Sequence, residues 1–154
     1  REMVYLEADV VIVFDRVATA AGTTQTWQIA APTQPAISGN TATITNAGHS
    51  LRITRLAPSA GTMSTYDFRG EADFTGGWRL DETQAGGDQR YLHVMAIDGA
   101  ATSTTTAGDA TNPGATVTLR DGRTVTVTFH RDSIGGSLTI DGVTTALTPG
   151  VTAI

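Results

Sequence analysis

Asp121-Gly122 and Asp141-Gly142 each sit between short runs in which apolar residues alternate with Thr. That arrangement leaves few folds open. Asp-Gly supplies the positive φ angles of tight hairpin turns, and a period of two places every second side chain on one face of a sheet. Residues 115–119, 124–130, 137–140 and 143–147 are therefore predicted strands of successive hairpins, with Gly135-Gly136 as a further turn. Thr makes up nearly a fifth of the chain, and Gly occurs 17 times. β-branched residues suit pleated surfaces and Gly suits turns. No segment shows a helical period, and no repeat recurs at a fixed spacing.

Upstream, residues 4–17 form an apolar, β-branched run interrupted by Glu7 and Asp9. It reads as one long strand, buried on both faces near 10–14 and central to its sheet. Residues 20–24 then form a turn into a partner strand at 26–31, making a hairpin with the first. Pro32 and Pro35 close that strand, because proline donates nothing to a ladder. Short strands at 41–45 and 51–56 continue a meander. Residues 57–77 read as a loop excursion of the kind that often binds ligands. Strands at 78–82 and 90–97 precede 99–114, an Ala/Ser/Thr/Gly tract expected to be a flexible loop. The predicted fold is an all-β, antiparallel β-sandwich built from meander hairpins. At 154 residues it forms one domain, 1–154, with the C-terminal hairpins in 115–154.

Charge and composition narrow the function. The net charge of −5 and a pI near 4.9 disfavour nucleic acid, which requires a basic face. All ten basic residues are Arg. No apolar run has membrane-spanning length, so no membrane partner is expected. Without Cys there is no disulfide framework and no thiolate metal site. A Thr- and Gly-rich sheet protein lacking Lys reads as secreted or cell-surface, with the periplasm as a variant. No phosphate-binding Gly loop and no Gly-x-Ser-x-Gly elbow occurs, so neither a cofactor nor a nucleophile is expected.

The three His residues, 49, 93 and 130, are not brought together by spacing, which gives no metal cluster. Alternation in Tyr91-Leu92-His93-Val94-Met95 puts Leu92 and Val94 on one face and Tyr91, His93 and Met95 on the other. Asp73, Asp81, Glu82 and Asp88 surround Trp78 without the spacing of a calcium loop. Asp15 and Arg16 read as strand-end ion pairs. Sugar recognition calls for aromatic faces beside planar polar groups. Tyr66, Trp78, Arg79, Arg90, Tyr91 and His93 supply that combination as candidate substrate-binding residues, with Asp67 and Arg69 nearby. Trp27 reads as core, and Trp78 is weighed between core and site.

Several of these pieces occur in a familiar order. Phe14-Asp15-Arg16-Val17 ends the opening run, and Trp27 lies in the next strand before a Pro-rich exit to Ser38-Gly39-Asn40. Leu51-Arg52-Ile53-Thr54-Arg55-Leu56-Ala57-Pro58, Gly77-Trp78-Arg79-Leu80 and Tyr91-Leu92-His93-Val94 follow. Together they resemble the β-sandwich region of heparinase II/III-type polysaccharide lyases over residues 1–98. The resemblance implies a uronate-polymer context, in which Tyr and His abstract the proton α to a carboxylate neutralised by Asn or Arg. It also places those groups upstream of residue 1, so no catalytic residue is expected in this chain. Some members carry a metal-binding His late in the strand matching 26–31; Ala30 stands there instead.

Three readings follow. The first is a non-catalytic extracellular module that supports a fold or contacts polysaccharide. The second is a self-assembling protomer of a fibre or matrix. The third is a docked fragment of an active uronate lyase. Each allows another polypeptide, or an identical copy, to pair with an edge strand from 1–17 or from the last hairpins.

Overall fold

The computed structural model describes residues 1–6, 9–72 and 77–150. Its regular structure is all strand: β1 (Glu2–Leu6), β2 (Val10–Ala18), β3 (Thr24–Ala31), β4 (Ala36–Ser38), β5 (Thr41–Asn46), β6 (His49–Ala57) and β7 (Thr62–Asp67) make up the first half. β8 (Trp78–Ala85), β9 (Asp88–Ile97), β10 (Ala101–Gly108), β11 (Pro113–Leu119), β12 (Thr124–Phe129), β13 (Gly136–Ile140) and β14 (Val143–Leu147) complete it. Every pairing is antiparallel, as the sandwich reading requires.

The strands form three sheets: a six-stranded one ordered β1-β2-β9-β6-β5-β4, a five-stranded meander β10-β11-β12-β13-β14, and a three-stranded one ordered β3-β8-β7. Side-chain alternation stacks them with the six-stranded sheet in the middle. Leu92, Val94 and Ala96 of β9 join Val10, Ile12 and Phe14 of β2 against Ala115, Val117, Val127 and Phe129 of the meander. On the opposite face Ile53 and Tyr91 pack with Trp27, Ala31 and Leu80 of the three-stranded sheet. Two cores result, one on each face of the middle layer. The alternation read for β9 holds residue by residue.

The turns explain the C-terminal hairpins. Asp141 and Gly142 both take positive φ, 48° and 84°, the two-residue turn whose twist matches flanking strands. Gly122 at φ 91° closes the β11–β12 connection, its N–H donating to Leu119 O at 3.0 Å.

Four expectations are corrected. The run 4–17 is two strands, β1 and β2, paired as a hairpin with Tyr5 opposite Val11. Asp9 turns the chain at φ 62°, a left-handed conformation that Asp tolerates better than most residues. β2 is therefore second from the sheet edge, although Val10, Ile12, Val13 and Phe14 are all buried. Residues 26–31 pair with β8 in another sheet and not with the opening strand, placing Trp27 opposite Glu82 and Ile29 opposite Leu80. The excursion at 57–77 contains β7, which runs along β8 with Tyr66 opposite Arg79. The tract 99–114, expected as a flexible loop, contains β10 along β11. Small side chains suffice there, since an edge strand is held chiefly by its backbone ladder, and only Ala100 and Ala101 enter the core.

Candidate functional site

The outer face of the three-stranded sheet takes alternate residues of each strand. One transverse row is Ala30, Arg79 and Tyr66, and the next is Gln28, Asp81 and Ser64. Inward positions of the same strands, Trp27, Leu80, Glu82 and Met63, face the second core. Ala30 is too small to cover Arg79, so the guanidinium lies across the other neighbour. Its carbon stands 5.1 Å from the Tyr66 ring centre and 5.3 Å from that of Phe68. Tyr66 and Phe68 meet edge to face at 4.9 Å. Arg79 is held by two bonds to Asp81, at 2.6 Å from Nε and 2.8 Å from Nη2.

A second unit of the same design adjoins it. Arg69 donates through Nε and Nη2 to Asp67 and lies 5.0 Å above the Trp78 ring. Asp67 and Trp78 are register partners one residue along β7 and β8 from Tyr66 and Arg79, and so have the inward parity of Leu80 and Glu82. The Tyr66 hydroxyl donates to Glu71. That bond raises the Tyr66 pKa, and the Arg69 guanidinium lowers that of Asp67. Both arginines are held more firmly protonated by their carboxylates. Around neutral pH the cluster thus carries fixed charges and a protonated phenol. Tyr66 is 41% exposed, so an aromatic edge and planar polar groups are presented together to solvent.

Of the six candidate residues, the structure brings together Tyr66 and Arg79, while Trp78, one residue from Arg79 on β8, has the inward parity of Leu80. Trp78 is half-buried and packs against the second core with its other side. Arg90 lies elsewhere, on the opposite face of the middle sheet, where it donates to Arg131 O at 2.7 Å and to Asp88 and Asp132 at 2.5 Å each. Tyr91 and His93 are a correction: both are buried, 2% and 0% exposed, out of reach of a polymer on the surface. The three-stranded sheet covers the face of β9 that carries them. Tyr91 donates to Gln25 Oε1 at 3.1 Å.

His93 belongs to a buried polar group. Its Nε2 donates to Glu82 Oε2 at 2.7 Å, its ring stacks on Trp27 at 4.0 Å, and Arg55 Nη1 stands 3.7 Å from Glu82 Oε1. Among the described residues, His93 Nδ1, Arg55 Nε, Glu82 Oε1 and Trp27 Nε1 are buried and make no hydrogen bond. Sequence reasoning missed Glu82 and Arg55 as partners of His93. The signal for Glu82 was its parity: it alternates with Leu80 and so points inward. Phe68 and Glu71 were also missed, since both lie beyond the end of β7 where no periodicity operates.

The carboxylates considered for calcium diverge. Asp81 is held by Arg79, Glu82 by the buried group, and Asp88 by Arg90 and Arg131; Asp73 lies outside the described residues. Among the described residues no three His, Asp or Glu side chains converge as a metal-binding group. Asp15 pairs with Arg1, just ahead of β1, and Arg16 with Glu2 of β1. Comparison with protein-family models, with curated proteins and with solved structures returned no match to this chain.

Proposed function

We propose that this chain is a non-catalytic, extracellular β-sandwich module that contacts polysaccharide through the outer face of its three-stranded sheet, as the resemblance to heparinase II/III-type lyases suggested. The observation that carries this reading is the packing of the carboxylate-held Arg79 against Tyr66 and Phe68 on that face, with the Arg69–Trp78 pair at the same end of the sheet. Sugar rings offer C–H groups to aromatic surfaces and hydroxyls to planar donors and acceptors, and this cluster supplies both at the surface. Affinity electrophoresis against a panel of soluble polysaccharides tests it. Tyr66→Ala should weaken the binding of a retained polymer about tenfold, roughly 1.4 kcal/mol, with an unchanged melting temperature. Absence of retardation by every polymer would end this reading.

Self-assembly is the second reading, and β1 favours it. This edge strand of the middle sheet carries Met3 and Tyr5, 63% and 65% exposed, and has neither Pro nor Lys to discourage pairing. Sedimentation at increasing concentration separates the two readings: a chain that assembles grows in mass, and Tyr5→Lys stops that growth.

A further inference from the structure

Resting on the polysaccharide reading, we infer that the glycan recognised at this face is uncharged and lies along β8, in contrast to the uronate polymers that the family resemblance implies. The argument begins with the arginines. A guanidinium selects a carboxylate or sulfate by offering two parallel N–H groups. In this cluster those groups are already engaged: Arg79 gives Nε and Nη2 to Asp81, and Arg69 gives Nε and Nη2 to Asp67. An incoming anion is left only the end-on pair made by Nη1 and the second N–H of Nη2, beside a carboxylate already held by two bonds. On the outer face it would also meet Asp81 and Glu71, two negative groups against the one positive Arg79. The chain's net charge of −5 adds to the repulsion.

The rest of the face agrees. Beyond the Arg79 row come Gln28 and Ser64 beside Asp81, and beyond them Thr26 and Thr62 beside Thr83. Apart from Asp81, already paired, these are amides and hydroxyls that donate and accept without charge. Gln28, Ser64, Thr26 and Thr62 are exposed. Alternate residues on a strand are about 6.7 Å apart, so the three rows span roughly 13 Å, and three strands give a width of roughly 10 Å. That strip suits a few sugar rings of an extended chain, with Tyr66 at one end as the aromatic stop and neutral hydrogen-bonding groups along the remainder.

Calorimetry and affinity electrophoresis of the intact chain decide the matter, using mixed-linkage glucan, xylan and galactomannan beside polygalacturonate, alginate and heparin, each at low and high salt. The expected result is that at least one neutral polymer binds, with an affinity that salt leaves unchanged. Gln28→Ala should weaken it severalfold and Tyr66→Ala more. Asp67→Asn/Asp81→Asn frees both guanidinium forks and should confer salt-sensitive binding of polygalacturonate that the parent lacks. Preferential binding of the parent to an acidic polymer, with affinity falling as salt rises, would overturn the uncharged ligand and leave the polysaccharide site standing. Failure of the double variant to gain acidic binding would overturn the charge argument itself. If no polymer of either kind binds the folded chain, the underlying reading fails with it.

Discussion

The two faces of the middle sheet are packed by different physics. Toward the five-stranded meander lie aliphatic side chains and one stacked aromatic pair, Phe14 on Phe129 at 4.9 Å. Toward the three-stranded sheet, Trp27, Leu80 and Tyr91 share the space with Arg55, Glu82, His93, Gln25 and Gln84, all buried. Apolar burial is favourable and non-directional, at about 25 cal/mol per Å². A buried ionic group must first recover its desolvation cost, and it does so only where partners meet at the right distance. The first interface therefore supplies cohesion, and the second supplies a defined position. A one-residue slip of β8 in its ladder would turn Glu82 to the outer face and leave His93 and Arg55 buried without it. Arg79 and Tyr66 lie on the outer face of this positioned sheet, so the polar layer also orients the candidate site.

The sharpest way to break this contrast is to place one charge in the apolar interface. Ile12 is fully buried there, with no polar partner. Ile12→Asp should leave the chain unfolded by circular dichroism, since an unpaired buried carboxylate costs several kcal/mol against a domain stability of only about 5–15 kcal/mol. A cooperative melt near that of the parent would show that this face is not a closed core. In the polar layer the outcome depends on how many groups are removed. Glu82→Ala abandons Arg55 and His93 in the interior and should cost about 3–5 kcal/mol in urea denaturation. Replacing Arg55, Glu82 and His93 together by Met or Leu should cost much less, because no uncompensated charge remains. If the triple variant is the worse of the two, the charged group contributes net stability and the contrast between the faces dissolves.

These interfaces also explain what the sequence made legible. The C-terminal hairpins could be read because two Asp-Gly turns and strict alternation agree locally, and the parity of β9 followed from the same alternation. Tyr91 and His93 were misplaced for a non-local reason. In a two-layered sandwich one face of each strand meets water, and nothing near β9 in sequence announces a third layer over that face. The cover comes from β3 and β8, and their pairing joins residues 24–31 to 78–85, far apart in the chain. β10 was hidden by composition, since small residues on an edge strand show no apolar stripe. Tyr66 and Arg79 were within reach as an aromatic and an arginine on neighbouring segments, whereas the parity of β8 turns Trp78 to the opposite face. Phe68 and Glu71 needed the turn after β7.

A smaller effect is expected where the meander is fastened to the opening hairpin. Arg16 donates to the carbonyls of His130, Arg131 and Ser133, and its partner Glu2 accepts the Gly135 N–H at 2.7 Å. One side chain thus satisfies several backbone acceptors of the β12–β13 connection. Arg16→Ala should lower stability by about 1.5–3 kcal/mol, the range for hydrogen bonds to a charged group. Limited proteolysis should then cut within 130–135 before elsewhere, whereas Arg16→Lys restores only part of the protection, lacking the planar fork. Equal proteolysis of variant and parent would place the docking of the meander in its apolar core alone.

The smallest effect lies outside both interfaces. His49, the first residue of β6 after the β5–β6 turn, meets Asp98 through Nδ1 and Oδ2 at 2.6 Å, and Asp98 Oδ1 also accepts the Ser50 N–H. The hydrogen bond to Asp98 raises the His49 pKa above 6.5, and the same bond, with the one from Ser50, lowers that of Asp98 below 3.8. A raised imidazole pKa in the folded state means that its contribution is complete below the unfolded value and disappears as pH rises through the folded one. A lowered carboxylate pKa acts in the opposite sense, so the contribution of Asp98 disappears as pH falls through its folded value. The pair therefore stabilises most between these limits. Exposure screens it, and an exposed pair of this kind is among the weakest contributors to a fold. His49→Gln should lower the melting temperature slightly at pH 5 and converge with the parent toward pH 9, measured in parallel scans. A difference that instead persists unchanged to high pH would mean that the turn depends on the shape of His49 and the Ser50–Asp98 bond, and not on the imidazolium charge.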